Sequence, residues 1–528
     1  MNRRDLWKAP EDDGGVLVDP PLEKAEELLE INRRRLDGAK VRINHRSLQE
    51  VRQEARRVAL EWAMHSLADD VAVPRLSAPI VACGHQPELF HPGVWIKDFA
   101  ADRFGEGLGA FPLHVVVDTD LLKTTCVAFP FWDPDPHRVS VEQIAYDRFT
   151  PNTAHWARPI FDDDVFEKFP ESTRHIWRHW NFEPLLPAFW KEVVESANMM
   201  REGTRSLGYD PVAVLWICLS GARRSVEREW GCNVAEARLS LLPITAFFCQ
   251  ILSDIADFHA DYNECVRSYR KAHRMRSATH PVPDLITSGE YFEAPFWWLD
   301  TDGSRHRLFV RTHGDAATLT RTPPVGEITI PLRANEPLGE MNAGGVRIAP
   351  RALTTTMFLR LCVADLFIHG IGGAKYDELT DDIIRRYFGI EPPEYMVVSG
   401  TLRLPFEDKL FPRFGCWNPR RKARDVLWNP ERYILSDNPN ARQLIVEKHD
   451  WIEQQPADSA GRRERFFQLH NLTMRLRDYV TDEQKEAEAD LQRCEAEVAA
   501  NRILTNREYS FVLYPEEKLR PFLTQFLK

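Results

Sequence analysis

The sequence predicts an α/β protein in which helices cover a parallel β-sheet. Buried strands are expected at 78–83 and 113–117, and the residues between them, 94–104, fit a short helix. A strand, a helix and a strand within about forty residues form a βαβ unit, which joins parallel strands. The first strand is ended by Gly84 and the second by Asp118.

Length and composition predict a globular protein with several folding units. The chain has 528 residues, of which 43% are hydrophobic and 28% charged, so we expect roughly two to four units. The net charge of −11 argues against a nucleic-acid coat. No apolar run approaches the ~20 residues of a membrane span, and the N-terminus lacks an apolar signal core. We therefore expect a cytoplasmic protein whose partners are neither nucleic acid nor membrane.

Nine cysteines are scattered along the chain without a CxxC pair. This odd count favours reduced thiols over a disulfide framework or a zinc ribbon. Several lie within apolar runs, where a buried small side chain is the simplest interpretation.

The elements of the first half follow from periodicity. Apolar residues at helical spacing predict helices at 21–66 and 186–208. The stretch 125–185, rich in Pro, Trp, His and Asp, is expected to be irregular with short helices. An apolar run predicts a buried strand at 212–219, and an amphipathic pattern predicts one long helix at 243–274.

The second half opens with a hairpin, because apolar runs flank an Asp-Gly turn at 301–303. A helix is expected at 354–368, stopped by Gly370. A further helix is expected at 376–388 and a late strand at 395–399.

The charged stretch 440–505 carries an apolar stripe and predicts a helical hairpin or short coiled coil. Dimerisation and packing against the chain's own N-terminal helices both remain open for it. The expected organisation is an N-terminal helical segment (1–75), a first part of the core (76–220), a helical insertion (221–290), a second part of the core with the hairpin and a Gly-rich loop (291–435), and the C-terminal helical hairpin with its tail (436–528).

The stretch 84–97 is the most informative candidate site. It follows the first predicted strand and opens the next helix, where ligands of parallel sheets and anions bind. His85, His91 and Lys97 would place neutral or cationic donors beside a phosphate. The alternative is a polar turn in which His91 only caps structure.

Two carboxylates, Asp118 and Asp120, follow the second strand. Such a pair can hold Mg²⁺ through water and substrate phosphates. Contact with a substrate amine, or a simple turn, is the alternative.

A third candidate joins Arg351 to the threonines that begin the next helix, a combination that suits an anion. Ordinary capping by Thr354 explains only one of these threonines. The stretch 369–378 is Gly-rich and is expected between two helices, so it matches neither a Walker loop nor a dinucleotide fingerprint.

Weaker signals complete the survey. His175 and His179 are spaced for one helix face but lack a third zinc ligand nearby in sequence. Glu227 and Glu229 are interpreted as a solvated helix face. No GxSxG, HExxH, Walker or kinase signature is present.

Together these stretches resemble one family. GHQPELFHPGVWIKDF, followed by a strand ending in Asp-Thr-Asp, is similar to the glutamine-led stretch and the later acidic motif of the bacillithiol-synthesis cysteine-adding enzymes. FWWLDTDGSRHRLFVR resembles that family's hairpin. RIAPRALTTTMFLRLCVADLFIHGIGGAKYDEL resembles its arginine-led helix and glycine-rich segment. The resemblance runs discontinuously over most of residues 78–525.

The resemblance implies a Rossmann-like core with helical insertions and a C-terminal coiled coil that forms a homodimer. It implies a ligase that activates a carboxylate, cysteine or another amino acid, with ATP or a related nucleotide, and joins it to an amine on a small-molecule substrate. Mg²⁺ would be bridged by the two carboxylates. The site residues expected from the motifs and the resemblance together are Gly84, His85, Gln86, His91, Gly93, Lys97, Asp118, Asp120, Arg351, Thr354, Gly372, Gly373, Lys375 and Tyr376.

His85 and His91 replace residues of the family's own stretch, so we expect a divergent relative with a different acceptor. Two other functions remain open from the sequence. One is a non-catalytic scaffold that binds a partner through the coiled coil, and the other is a nucleotidyltransferase that makes an activated precursor.

Overall fold

The computed structural model of this chain describes residues 7–66, 75–132, 138–207, 212–277, 279–332, 347–412, 414–435 and 438–527. The fold is mixed α/β, and its contacts divide the chain into two units. Unit 1 consists of Met1–Ala128, Gln143–Arg403 and Arg507–Lys528, and unit 2 of Phe129–Glu142 and Leu404–Asn506.

Most strands of the described residues are short. In chain order they are β1 (Val16–Asp19), β2 (Arg42–Ile43), β3 (Arg46–Ser47), β4 (Ile80–His85), β5 (Phe111–Val116), β6 (Cys126–Trp132), β7 (Val139–Ala145), β8 (Ala235–Arg238), β9 (Thr287–Ser288), β10 (Tyr291–Leu299), β11 (Arg305–His313), β12 (Ala316–Thr320), β13 (Ile328–Pro331), β14 (Arg347–Pro350), β15 (Leu366–His369) and β16 (Tyr395–Gly400).

The helices range from single turns to 24 residues. In chain order the α-helices are α1 (Ala25–Gly38), α2 (Leu48–Met64), α3 (Pro92–Leu108), α4 (Asp163–Glu167), α5 (Phe169–Trp177), α6 (Leu186–Ser206), α7 (Leu215–Glu229), α8 (Thr245–Ser253), α9 (Ile255–Ala272), α10 (Ala352–Phe358), α11 (Ile371–Ile383), α12 (Trp417–Trp428), α13 (Pro439–Glu453), α14 (Ser459–Arg477), α15 (Thr481–Leu504) and α16 (Glu516–Thr524).

Unit 1 is organised around a six-stranded sheet in the order β1-β16-β15-β4-β5-β8. The five strands from β16 to β8 are parallel, and β1 pairs antiparallel with β16 at the edge. Along the chain, β5 and β8 extend the sheet to one side of β4, and β15 and β16 then extend it to the other side. The direction of winding therefore reverses between β4 and β15.

The parallel strands are apolar because helices cover both faces of such a sheet. Ile80 and Leu113 are fully buried in one core with Val51, Ala55 and Ala59 of α2, which repeat every four residues. The larger of these side chains, those of Ile80, Leu113 and Val51, each contribute roughly 1.5–3 kcal/mol when removed from water. This packing fixes the positions of the strand ends that form the site.

A second sheet, antiparallel throughout, has the order β13-β12-β11-β10-β14, with β9 beside β10. The predicted hairpin is confirmed as β10 and β11, which pair around the turn at 301–303. The register shifts between Glu293 and Trp297. This sheet matters for function because it carries Trp297 and Arg305 to the edge of the parallel sheet.

Several other predicted elements are also confirmed. The strand expected at 78–83, the helix at 186–208 and the strand at 395–399 correspond to β4, α6 and β16. The helix expected at 94–104 is longer, since α3 begins at Pro92 and continues to Leu108.

The helix predicted at 21–66 is instead two helices, α1 and α2, separated by the small hairpin β2–β3. Asn44 and His45 form its turn with φ of 47° and 66°. Ser47 then caps α2, because its side chain accepts from the backbone of Glu50 and the Glu50 side chain accepts in return. Helical periodicity on both sides of the turn concealed this break.

Two predictions between residues 212 and 274 are wrong in detail. The apolar run at 212–219 belongs largely to helix α7 and not to a strand, since short apolar runs do not distinguish the two. The helix expected at 243–274 is broken at Asp254 into α8 and α9. The irregular stretch expected at 125–185 contains the strand pair β6–β7 as well as short helices.

The prediction of one helix at 354–368 is wrong. Helix α10 and a π-helical turn at Leu359–Val363 end before Asp365, after which the chain forms β15. Asp365 accepts hydrogen bonds from Arg52 and Arg56 of α2, which fixes this change of direction. Helix α11 then begins at Ile371, so the Gly-rich stretch lies between a strand and a helix and not between two helices.

In unit 2 the region 440–505 is helical, as predicted, and comprises α13, α14 and α15. Helix α13 packs on α14, and α12 packs on α15. A disulfide joins Cys416 to Cys494 across the second pair, so the prediction of reduced thiols is wrong for these two residues. They are 78 positions apart and become neighbours only through helix packing. The other seven cysteines are free.

Within the described ranges, every helix is too short or too polar to cross a membrane.

Candidate functional site

A cleft of about 890 Å³ opens in unit 1 at the carboxyl ends of the parallel strands. It lies where the winding reverses, because the ends of both β4 and β15 line it. Residues after β5 and at the end of β16 also contribute, so the cleft follows this edge of the sheet. Of the predicted site residues, the cleft is lined by Gly84, His85, Gln86, His91, Gly93, Lys97, Asp120, Gly372, Gly373 and Lys375.

Helix α3 begins at this cleft. His91 is its N-cap, and the His91 Nδ1 atom accepts a hydrogen bond from the Gly93 N–H at 3.1 Å. This bond assigns the proton of a neutral imidazole to Nε2. A side chain at Gly93 would not fit, since a Cβ there would lie 2.3 Å from the Gly400 carbonyl oxygen and 2.7 Å from the Arg507 guanidinium.

Lys97 lies one turn further along α3 and is almost completely buried, with 4% of its surface exposed. Its Nζ donates to the Gly84 carbonyl oxygen at 2.9 Å. No carboxylate of the described residues lies within ion-pair distance of this ammonium group. Burial of an unpaired charge costs several kcal/mol, so an anion in the cleft would relieve an existing electrostatic penalty.

The two predicted histidines are neutral near pH 7. Burial lowers the pKa of His85 to about 3, with a further contribution from the charge of Lys97. Burial also lowers the pKa of His91 to about 4, and the nearby charges of Arg507 and Lys97 add to this effect. The His85 Nδ1 atom donates to the Gln86 carbonyl oxygen at 3.0 Å, which leaves Nε2 as an acceptor.

The amino end of helix α11 forms a second wall. Gly370 is its N-cap, without a side-chain capping bond, and Gly372, Gly373 and Lys375 follow along the cleft. A Cβ placed at Gly370 would contact the Lys97 Cδ atom at 3.9 Å, so this helix end and the buried lysine are neighbours. Backbone N–H groups of a helix start favour anions.

His369, the last residue of β15, is a cleft residue that the predicted site omitted. Its Nε2 atom lies 2.8 Å from the Asp377 carboxylate, which also accepts from Arg360 and Thr356. Burial lowers the pKa of His369, and the charge of Asp377 offsets this only in part. The imidazole is therefore neutral, with Nε2 protonated and Nδ1 bearing the lone pair.

Asp118 and Asp120 do not form the predicted magnesium pair. Asp118 is fully buried outside the cleft, where its oxygens accept from Arg238 and from the backbone and hydroxyl of Ser240. Asp120 lines the cleft, but Arg305 and the Gln86 amide occupy its carboxylate. All four oxygens thus have protein donors, and the pair does not fit a bridged Mg²⁺.

Arg351, Thr354 and Tyr376 also lie outside the cleft. Arg351 pairs with the buried Glu293 at 2.7 Å, and its guanidinium lies over the Trp297 ring. Thr354 does not cap α10, since its hydroxyl donates to the Pro295 carbonyl oxygen inside the structure. Arg351 supports the cleft indirectly, because Trp297 is itself a lining residue.

Sequence reasoning missed the residues that reach the cleft from distant parts of the chain. Arg507 comes from the segment after α15, and its Nη2 atom donates to the Ser399 hydroxyl at 3.3 Å. Arg305 comes from the hairpin, where it lies over Trp297 and pairs with Asp120. No local motif marks them, because they are ordinary arginines in strand or loop sequence. Further lining residues without a sequence signal are Trp7, Lys8 and Glu508, whereas Thr355 and Thr356 belong to the threonines of the third candidate site.

A separate polar cluster lies buried behind α3. The side chains of Cys83, Asp98 and His114 place one possible ligand atom each within 4.8 Å of one another. Asp98 already accepts from both of the others and from Arg223 at 2.9 Å. A metal would therefore face the guanidinium of Arg223, and we interpret the cluster as a structural hydrogen-bond network.

Glu227 belongs to the same network, so its interpretation as part of a solvated face is wrong. It is 1% exposed and accepts from the Trp95 indole at 2.6 Å and from Arg223 at 2.5 Å. The histidines considered for zinc, His175 and His179, are both exposed, and α5 ends between them.

Comparison with protein-family models and with curated proteins found no match to this chain.

Proposed function

We propose that this chain is a Rossmann-like ligase that binds a nucleotide in the cleft, activates a carboxylate with it and joins the acyl group to an amine. The reaction class comes from the resemblance to the bacillithiol-synthesis cysteine-adding enzymes. The location comes from the strand ends that line the cleft.

The sheet order supports a Rossmann-like core. Counted along the chain, the five parallel strands lie in the order 3-2-1-4-5. This is the order of the doubly wound nucleotide-binding folds, whose ligands bind at the carboxyl edge where the winding reverses. The cleft occupies that place.

Lys97 is the single observation that carries the proposal. Its charge is buried, it lacks a carboxylate partner among the described residues, and it adjoins the start of α11. A phosphate group is the ligand that both features favour. A volume of about 890 Å³ is large enough for a nucleotide and part of a second substrate.

The neutral imidazoles define the chemistry available to the cleft. In the first step a carboxylate oxygen attacks the α-phosphorus, and the bond to the departing pyrophosphate breaks. Lys97 would stabilise the charge that develops on the phosphoryl oxygens. His85 and His91 do not act as imidazolium acids here, because burial keeps the pKa of both well below 7.

In the second step the amine nitrogen attacks the acyl carbon, the bond to AMP breaks, and the amine loses a proton. His369 suits the role of proton acceptor, because Asp377 holds its Nε2–H and leaves the Nδ1 lone pair available. Neither step is assigned to a metal ion.

Nucleotide binding is tested by thermal shift with ATP, CTP and ADP on wild type and Lys97→Met. A ligand at ~100 times its dissociation constant stabilises the protein by ~2.7 kcal/mol, which raises the melting temperature visibly. We expect this shift in wild type and its loss in Lys97→Met. Lys191→Met is the matched control, since Lys191 is exposed on α6.

Pyrophosphate exchange then identifies the reaction. Exchange that depends on cysteine or another amino acid supports the ligase. Pyrophosphate release that depends on a sugar phosphate would contradict the ligase and support a nucleotidyltransferase. A wild-type protein that shows no shift with any nucleotide would contradict the proposal and favour a scaffold.

The proposal includes a homodimer formed through unit 2, which the resemblance implies. Helix α14 exposes Phe466 and Phe467, 65% and 54% accessible, on a unit otherwise rich in charge. Exposed apolar patches of this kind are typical of association surfaces.

A further inference from the structure

Arg507 lines the cleft without an acidic partner. No carboxylate of the described residues lies within 4 Å of its guanidinium nitrogens, although Glu508 follows it in sequence and also lines the cleft. Among the described residues its acceptor is the Ser399 hydroxyl, at 3.3 Å from Nη2. The Nε atom is buried and unpartnered.

A guanidinium has five N–H donors, so one neutral hydrogen bond leaves most of this capacity unused. Burial also lowers the pKa of Arg507, although Glu508 and Tyr514 oppose this through their charge. The buried arginines Arg158 and Arg360 also leave Nε unpartnered, but each pairs a terminal nitrogen with a carboxylate, which Arg507 does not among the described residues. The geometry therefore leaves room for an acceptor supplied from the cleft.

The surroundings of Arg507 add further donors. Gly93 lies directly beside Nη2 at the start of α3, and a side chain there would exclude the guanidinium. His91 lies within electrostatic reach, and its free Nε2–H adds a neutral donor. Lys8, exposed and without an ion pair among the described residues, lines the same cleft.

This group of donors is distinct from the one around Lys97. Arg507 lies against Gly93 and Lys97 lies against Gly370, and Gly93 and Lys97 are about one turn apart on α3. A phosphate that contacts only Lys97 and the start of α11 leaves the donors of Arg507 unused.

We propose that Arg507, with the His91 Nε2–H, forms a second oxyanion subsite, and that the cleft therefore takes ligands that carry two anionic groups. The inference deepens the proposed function. It rests on that proposal only for the assumption that substrates bind in this cleft. The oxyanion is either a phosphate distal to the one at Lys97 or a carboxylate of the second substrate. Both satisfy a guanidinium through paired N–H donors.

The test compares Arg507→Gln with wild type by calorimetric titration with AMP, ATP and succinate. AMP carries one phosphate group, ATP adds distal phosphates, and succinate supplies carboxylates alone. Loss of one charged hydrogen-bonded contact weakens binding roughly tenfold or more. Arg502→Gln is the matched control, because Arg502 is exposed on α15 and outside the cleft.

A tenfold loss for ATP with unchanged AMP assigns the subsite to a distal phosphate. A tenfold loss for succinate, measured with AMP present, assigns it to a second-substrate carboxylate. Unchanged binding of both ATP and succinate, or an equal loss for AMP, overturns the subsite.

Arg507→Lys guards against a variant that fails to fold, since it keeps the charge and should retain part of the affinity. If the protein binds no nucleotide but binds succinate in a way that depends on Arg507, the nucleotide proposal is wrong and the subsite proposal is supported. Wild-type protein that binds neither ATP nor succinate at millimolar concentrations overturns both.

Discussion

At the scale of single residues, the polar wall of the cleft depends on the carboxylate of Asp377. This buried side chain accepts from His369, Arg360 and Thr356. Burial alone would raise its pKa, but the charge of Arg360 and the hydrogen bond from His369 hold the pKa of Asp377 well below its usual range. It is therefore ionised and central to the network.

We expect Asp377→Asn to lower the free energy of unfolding by about 3–5 kcal/mol, because removal of one partner leaves the buried guanidinium of Arg360 undercompensated. Urea unfolding measures this loss. Asp382→Asn is the control, since Asp382 is 53% exposed on the same helix. Equal losses in the two variants would contradict the assigned role.

The same prediction has a pH dependence. The pKa of Asp377 is depressed in the folded state, so its contribution to stability is present above the unfolded value of ~3.9 and is lost as pH falls below that value towards the folded pKa. Wild type should lose stability across this acidic window more steeply than Asp377→Asn. Parallel curves of stability against pH for the two proteins would contradict this assignment to Asp377.

Sequence identifies a site residue when the residue follows a predicted strand directly. His85, His91 and Lys97 were found in this way, because they share one strand-to-helix stretch. Arg507 was not found, since it reaches the cleft only after the chain has completed unit 2. Asp118 also follows a predicted strand but does not line the cleft. Its position in the sequence does not determine the direction of its side chain, which hydrogen bonds from a neighbouring arginine and serine hold.

At the scale of elements, the start of α3 must approach the end of β16 closely. A Cβ on Gly93 would lie 2.3 Å from the Gly400 carbonyl oxygen, a backbone atom that cannot move away independently. Gly93→Ala should therefore lower the melting temperature and displace Arg507 from the cleft, with weaker ATP binding.

Gly107 provides a matched control on the same helix. Nothing lies within 4 Å of a Cβ placed there, and alanine is favoured over glycine in a helix by roughly 0.5–1 kcal/mol. Gly107→Ala should thus raise the melting temperature slightly while Gly93→Ala lowers it. Thermal unfolding measures the melting temperatures of both variants. A change of the same sign in both would contradict the close approach of α3 to β16.

Predicted elements are wrong where a tertiary contact redirects the chain. Residues 366–369 continue a helical pattern, yet they form a strand because Asp365 is held by two arginines of α2 and the next residues pair with β4. The run at 215–219 has the apolar composition of a strand but the burial of a helix. Local composition alone therefore does not predict whether these segments form a helix or a strand.

At the scale of the whole molecule, the sequence indicated a parallel sheet but not its strand order. One βαβ unit near residue 100 implied parallel strands, whereas the return of the chain to the other side of β4 depends on contacts between residues nearly three hundred positions apart. That return creates the cleft, because it places the Gly-rich start of α11 beside Lys97. Most of the residues that the motifs and the resemblance predicted line this cleft, whereas Arg351, Thr354, Tyr376 and Asp118 do not.

The homodimer that we propose through unit 2 would also be a property of the whole molecule. The apolar surface of this unit includes Phe466 and Phe467 on α14 and the nearby Trp428, which is 48% exposed and within 6.4 Å of the His470 ring. Full burial of large apolar side chains stabilises association by roughly 1.5–3 kcal/mol each. In a symmetric dimer each subunit contributes both phenylalanines, so this free energy is gained for both copies of each residue.

We therefore expect wild type to sediment as a dimer and the double variant Phe466→Ser, Phe467→Ser as a monomer with an unchanged melting profile of unit 1. Leu207→Ser is the control, because Leu207 is 74% exposed in unit 1 and should not affect association. Analytical ultracentrifugation over a range of concentrations measures both masses. A monomeric wild type, or a double variant that remains dimeric, would remove α14 as the interface.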